Sequence, residues 1–353
     1  MRISYCNYVN LGGQACDFPL VRNQVLLTQA SHSRLSAVGQ ATVPDIAYSN
    51  YAFGVAETSI VNICARAIFA ALAALGPMTS TADSSGGTQR YYEVRGAKLY
   101  TQFYGHGPPI VFLHGGMMFF DNSFANQRDY FSAFRTVVGI DQRGHGHSPD
   151  GPWSLSYKMM ADDTAAIIEQ LGLGPVDVVG HSDGADLALI LVRDHPNLVR
   201  RLVISGANIR VDLSPDQKLR SHWSQQQLDA HLREMAAALP PWFLPDYAKV
   251  SPDGPDHWMT LLAKCYDMWL QPVVIEPADL KRISIPVLVM AGDHDFTSIE
   301  DNAEIFRDLP HGQLIIVPAS KHGTFNGRPD LVNLAIREFL DQPDSNTPAV
   351  PVR

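Results

Sequence analysis

Short apolar runs alternate with helix-patterned segments along most of this chain, and that alternation restricts the fold more than any other feature. Ile110–Leu113 is hydrophobic at every position, and Thr136–Ile140 and Val176–Val179 are runs of the same kind. Strands buried on both faces belong inside a parallel sheet, because a sheet with one wet face would alternate apolar and polar residues. Between the last two runs, Ser156–Leu171 carries Met159, Met160, Thr164, Ile167, Ile168 and Leu171 at helical spacing, and Gly172 supplies the stop. A helix starting just after Ser182 and continuing through Leu187–Val192, a strand at Leu202–Ser205, strands at Pro286–Met290 and Gln313–Val317, the helical Ile299–Leu309 between them, and a closing helix at Leu331–Leu340 extend the rhythm. Tyr91–Arg95 and Lys98–Tyr104 precede it as a hairpin around Gly96-Ala97. The expected class is α/β, with a doubly wound, mostly parallel sheet whose reactive groups collect at the carboxyl ends of the strands.

The rhythm sets the expected boundaries. It runs over residues 89–208, breaks at 209–283, and resumes over 284–345. The break is rich in proline (Pro240-Pro241, Pro245, Pro252, Pro255) and reads as a helical insertion capping the sheet. Residues 1–88 are an N-terminal extension without sustained periodicity, expected to be poorly ordered. Near 60–82 it contains Arg66, the apolar run Ala67–Gly76, Pro77 and the small residues Ser80-Thr-Ala82, the order in which a secretory signal is built. The run is short of the ~20 residues that span a bilayer, so no stable membrane span is expected. As a signal it would place the protein outside the cytoplasm, secreted or periplasmic, and leave residues 1–55 as sequence upstream of the true start. As an amphipathic helix on the core it would leave a cytoplasmic protein.

Composition removes other classes. The net charge of −9 arises downstream of the extension, where Arg2, Arg22, Arg34 and Arg66 balance Asp17, Asp45, Glu57 and Asp83. No basic run marks a nucleic-acid partner. The four cysteines include no C-x-x-C pair, so thiolate metal binding is not expected, and Cys265 in its apolar surroundings reads as an inert buried thiol. With neither a dinucleotide glycine fingerprint nor a metal-ligand cluster, no cofactor and no metal are expected. Nothing in the sequence defines an oligomeric state.

The chemistry gathers at three places. Val178-Val-Gly180-His-Ser182-Asp-Gly184 is a Gly-x-Ser-x-Gly pentapeptide directly after an apolar strand and before a helix. A turn this tight tolerates no side chains at its flanks and holds the serine out as a nucleophile. Ile110-Val-Phe-Leu113 runs into His114-Gly115-Gly116, and Ile140 into Asp141-Gln-Arg143-Gly144-His-Gly146-His-Ser148. On these segments, residues 90–341 resemble the α/β-hydrolase superfamily, most like its serine esterases and lactonases. The resemblance implies Ser182 as nucleophile, His322 after the last strand as its base, and an oxyanion hole from the backbone N–H groups of Gly116 and Asp183. The orienting acid should follow the preceding strand, where Asp293 and Asp295 are both present. The family spacing of three residues after Gly292 selects Asp295 and leaves Asp293 to the turn. Arg143 reads as a tether between loops. Asp183 departs from the family, since a carboxylate beside a developing oxyanion is unfavourable, and its side chain is expected to point off the site toward a basic or hydrogen-bonding partner.

Four of the five tryptophans (Trp223, Trp242, Trp258, Trp269) lie in the insertion. With Met117, three of them (Trp223, Trp242, Trp269) are candidate substrate-binding residues of a roomy apolar pocket, the alternative being that they build the insertion's own core. The expected partner is a small-molecule ester or lactone, medium or large and hydrophobic, cleaved through an acyl-enzyme. The same residues would serve a C–C bond hydrolase or an acyltransferase, and a binding protein that had lost catalysis would share the fold.

Overall fold

The computed structural model describes residues 87–208, 220–237, 239–271 and 275–343. The extension through residue 86, with its signal-like run, lies outside the described residues. Eight strands form one sheet in the order β1-β2-β4-β3-β5-β6-β7-β8. They are β1 (Thr88–Val94), β2 (Ala97–Tyr104), β3 (Pro109–Leu113), β4 (Thr136–Ile140), β5 (Val176–His181), β6 (Val199–Ser205), β7 (Val287–Gly292) and β8 (Gly312–Val317). β1 and β2 pair antiparallel, as does β2 with β4, and all remaining pairs are parallel.

The double burial of the central strands has a direct cause. Helices α2 (Tyr157–Leu171), α3 (Asp183–Asp194) and, beyond the insertion, Ile299–Asp308 cover one face, packing Ile167, Ile168, Leu191 and Ile305 with the strand residues Val111, Val138 and Val178. Helix α1 (Phe120–Phe131) and the closing helix Pro329–Leu340 cover the other, where Phe120, Phe124, Phe131 and Phe339 meet Phe112, Val179 and Val203. Each fully buried side chain of this size contributes about 1.5–3 kcal/mol. Local signals agree with these helices. Ser156 Oγ accepts the Met159 N–H at 3.2 Å to cap α2, and Gly172 ends it at φ 61°. The closing helix starts at Pro329, two residues before the sequence expectation, because proline's fixed φ suits a first turn.

Between β6 and β7 the insertion contains α4 (Gln225–Ala237), α5 (Phe243–Val250), α6 (Trp258–Trp269) and the short α7 (Pro277–Leu280). Its apolar face, including Leu232, Phe243, Leu261 and Met268, joins the cluster on the α2/α3 side of the sheet. Polar contacts help to pin it: Asp150, after β4, accepts from Lys264 Nζ at 2.6 and 2.8 Å and pairs with His257 Nε2 at 2.9 Å. Among the described residues no helix is long and apolar enough to cross a membrane.

Gly139 shows how closely α1 approaches the sheet, since a Cβ there would stand inside the Phe120 ring. Gly139→Ala should destabilise the protein by about 1–3 kcal/mol through overpacking, read as a lower urea midpoint at unchanged slope.

Candidate active site

Ser182 stands between β5 and α3 at φ 54°, ψ −123°, a conformation costing a non-glycine residue on the order of 1–3 kcal/mol. Its neighbours hold it there. The Ser182 N–H donates to the Ser205 carbonyl at 2.9 Å, and its own carbonyl accepts from Ala185 N–H at 2.7 Å. Both flanking glycines are demanded by close approach. A Cβ at Gly184 would drive into the Leu113 carbonyl and stand 2.7 Å from that of His114, and one at Gly180 would stand 2.8 Å from Ala185 Cα. The end of β3 thus lies against the turn. Ser182 sits at the start of α3, where the first N–H groups have no intrahelical acceptor and attract negative charge.

The sheet order brings the other groups to the same edge, since β5, β6, β7 and β8 are successive neighbours. His322 follows β8, and its Nδ1 pairs with Asp295 Oδ1 at 2.8 Å. With Nδ1 turned to a carboxylate, Nε2 is the basic nitrogen; it is buried and makes no hydrogen bond with the described residues. The ring lies between Phe296 and His181, with centroids 4.1 and 4.9 Å away. Gly206, after β6, makes room for it: a Cβ there would lie 2.6 Å from Cε1. Burial would raise the Asp295 carboxyl, but the His322 charge and hydrogen bonds from His322 and the Thr297 N–H outweigh it and hold it below the usual range. Asp293 has different work. It accepts from the Ala319 and Ser320 N–H groups at 3.0 and 2.9 Å and from the His294 ring, tying the turn after β7 to the one after β8.

The loop after β3 is braced from below. His114 Nε2 accepts the Gln142 N–H at 2.9 Å while Nδ1 donates to the Gly115 carbonyl at 2.8 Å. Gly115 allows the closest approach to the serine, since a Cβ there would lie 3.1 Å from Ser182 Cβ. Burial pushes His145 and His181 down to about 3, so both are neutral packing groups at pH 7. Arg143 is a tether: it ion-pairs with Asp163, donates to the Arg95 carbonyl at 3.1 Å, and lies over the Trp153 ring. Among the described residues no cluster of His, Cys, Asp or Glu could hold a metal.

Asp183 has the hydrogen-bonding partners its sequence context demands, but it does not turn away from the loop. One carboxylate oxygen accepts from Tyr157 Oη at 3.0 Å and the other from Trp269 Nε1 at 2.8 Å. The second oxygen and the Trp269 ring occupy the space a Cβ of Gly116 would need. Burial raises this carboxyl to about 6, against the pull of Trp269, Tyr157 and the His322 charge. Asp186, three residues on, is raised well above the usual range by burial and by Asp183.

The candidate substrate residues divide. Met117 is buried at φ 61° beside Gly116. Trp269 binds Asp183. Trp223 stacks on Tyr266 and meets His231 edge-on, and Trp242 packs on Phe243, contacts within the insertion. Cys265 is a buried thiol pushed well up by burial. Sequence reasoning missed Tyr157, Phe296 and Gly206. Only Gly206, directly after a strand of a parallel sheet, carried a visible signal.

Between about pH 4 and pH 6 the folded protein keeps a proton on Asp183 that the unfolded chain has released, so stability falls as pH rises through that window. Asp183→Asn removes this dependence. Its urea unfolding free energy relative to wild type should rise by about 2 kcal/mol between pH 4 and pH 7.

Residues 108–250 match the family model for the alpha/beta hydrolase fold. The mouse sn-1-specific diacylglycerol lipase ABHD11 is 28% identical over 259 residues, covering 66% of this chain and 81% of its own. The (E)-2-((N-methylformamido)methylene)succinate hydrolase of Acinetobacter baylyi is 26% identical over 246 residues, covering 67% of this chain and 92% of its own. Among solved structures, a meta-cleavage product hydrolase of Pseudomonas fluorescens IP01 matches with a TM-score of 0.59 over 71% of this chain and 97% of its own. At 18% identity that is a likeness of fold alone.

Proposed function

We propose that this chain, a member of the α/β-hydrolase superfamily, is a serine hydrolase that cleaves medium or large hydrophobic carboxylic esters or lactones. The observation that carries the reading is His322, whose Nδ1 is held by Asp295 and whose buried Nε2 is left open on the sheet edge that presents the strained Ser182. A serine hydroxyl is nearly inert at neutral pH and needs such a base. In the proposed reaction, Nε2 takes the Ser182 Oγ proton as Oγ attacks the ester carbonyl. Asp295 stabilises the imidazolium, and the N–H groups of Gly116 and Asp183 receive the oxyanion. Collapse expels the alcohol, which takes the proton from His322. Water, deprotonated by His322, then releases the acid from the acyl-serine. The insertion serves as the cap over this site, and its Trp269, together with Met117, borders the acyl side.

Ester chemistry draws support from the mouse relative, named as a diacylglycerol lipase, whereas the Acinetobacter relative is named for a succinate derivative. The leaving group therefore needs a direct assay. Wild-type protein should label with a fluorophosphonate probe and Ser182→Ala should not; an unlabelled wild type would overturn the reading. Catalytic efficiency on p-nitrophenyl esters should rise from acetate to octanoate. A steady fall would refute the hydrophobic pocket, and turnover of C–C substrates without ester hydrolysis would move the chain to another reaction class. Asp295→Asn should lower kcat by about 10⁴-fold by disturbing the tautomer of His322. Asp293→Asn, at the neighbouring turn, should instead lower thermal stability.

A further inference from the structure

The carboxylate beside the nucleophile joins parts of the protein that are far apart in sequence. Tyr157 at the start of α2 donates to one of its oxygens, and Trp269 at the end of α6 donates to the other. One turn earlier on α6, the Cys265 sulfur lies 3.5 Å from His145 Nε2, on the loop after β4. Residues 265 and 269 are four apart, so one face of α6 makes both contacts. Asp183 is itself one of the two expected oxyanion donors, and the Trp269 ring lies against the other, where a Cβ of Gly116 would stand 2.7 Å from its Cζ2. Both donors therefore belong to residues that adjoin Trp269 of the insertion.

A carboxylate is an expensive group for this place. It is buried, no basic side chain among the described residues is hydrogen-bonded to it, and its charge opposes an oxyanion. Packing alone would be served by leucine. What a carboxylate supplies, and leucine does not, is two acceptors aimed at two elements.

We propose that Asp183 is a positioning residue that latches cap helix α6 to the nucleophile turn through Trp269, so that docking of the cap and alignment of the two oxyanion donors are a single event. The effect on catalysis rests on Ser182 being the nucleophile; the latch itself does not.

Three variants separate the contributions. Asp183→Asn can accept from Trp269 Nε1 with its oxygen and donate to Tyr157 Oη with its amide, keeping both links without the charge. Asp183→Leu keeps volume and loses both links. Trp269→Phe keeps an aromatic ring and loses one donor. Asp183→Leu and Trp269→Phe should each lower kcat and the fluorophosphonate labelling rate about 10- to 100-fold with KM within about threefold, because alignment rather than binding is lost. The double variant should be no worse than the more impaired single. Asp183→Asn should keep at least about tenfold more kcat than Asp183→Leu. Hydrogen exchange in residues 258–269 should quicken in the Leu and Phe variants and not in the Asn variant. If Asp183→Leu does not fold, Trp269→Phe decides. Unchanged exchange and labelling in Trp269→Phe, or Asn as impaired as Leu, would overturn the latch. An unlabelled wild type whose α6 exchange still follows the pattern would sink the serine-hydrolase reading and leave the latch standing.

Discussion

In the proposed mechanism, everything reactive depends on a single residue holding a backbone conformation it would not choose. Ser182 at φ 54° turns the chain from β5 into α3 within one residue. That turn survives only because Gly180 and Gly184 let β3 and α3 close on it, and because Ser205 accepts its N–H. The strain is local, on the order of 1–3 kcal/mol. The packing that sustains it is global, since it needs the parallel register of β3, β5 and β6 and helices on both faces. A change at the rim of the turn is therefore felt in the sheet.

Three buried aspartates around this turn show how one side chain takes different electrostatic states. Asp295 faces an imidazole and a backbone N–H, and stays ionised below the usual range. Asp183 is bonded by the neutral donors Tyr157 and Trp269 and rises to about 6. Asp186 has one backbone donor and a neighbouring carboxyl, and is raised well above the usual range by burial. The directions follow the strength and charge of the partners, burial being common to all three. Burial acts on histidine in the opposite direction: it outweighs the pull of the nearby carboxylates, so His145 and His181 give up their protons and become packing residues.

The relatives in sequence and structure are named for different reactions, among them lipid ester cleavage and hydrolysis of a succinate derivative. A shared sheet and turn permit many chemistries, because specificity belongs to the groups brought over the site rather than to the fold. In the proposed reading those groups come from the insertion. Of the three tryptophans read as pocket lining or as the insertion's own core, Trp223 and Trp242 pack within the insertion, while Trp269 reaches to the turn at Ser182.

Periodicity and turn chemistry were enough to read the strand and helix order and the tight turn at Ser182, because these follow from local rules: strands buried on both faces and glycines at a tight turn. The role of His322 came from the family resemblance. The choice between Asp293 and Asp295 was open on residues alone and closed only by family spacing; in the fold, Asp295 meets His322 and Asp293 meets backbone N–H groups. The partners of Asp183 were not legible at all. Tyr157 and Trp269 lie 26 and 86 residues away, and no pattern along a chain says which distant donors will converge on a buried carboxylate. That convergence is set by how the helices pack on the sheet, a property of three dimensions that a one-dimensional period does not contain.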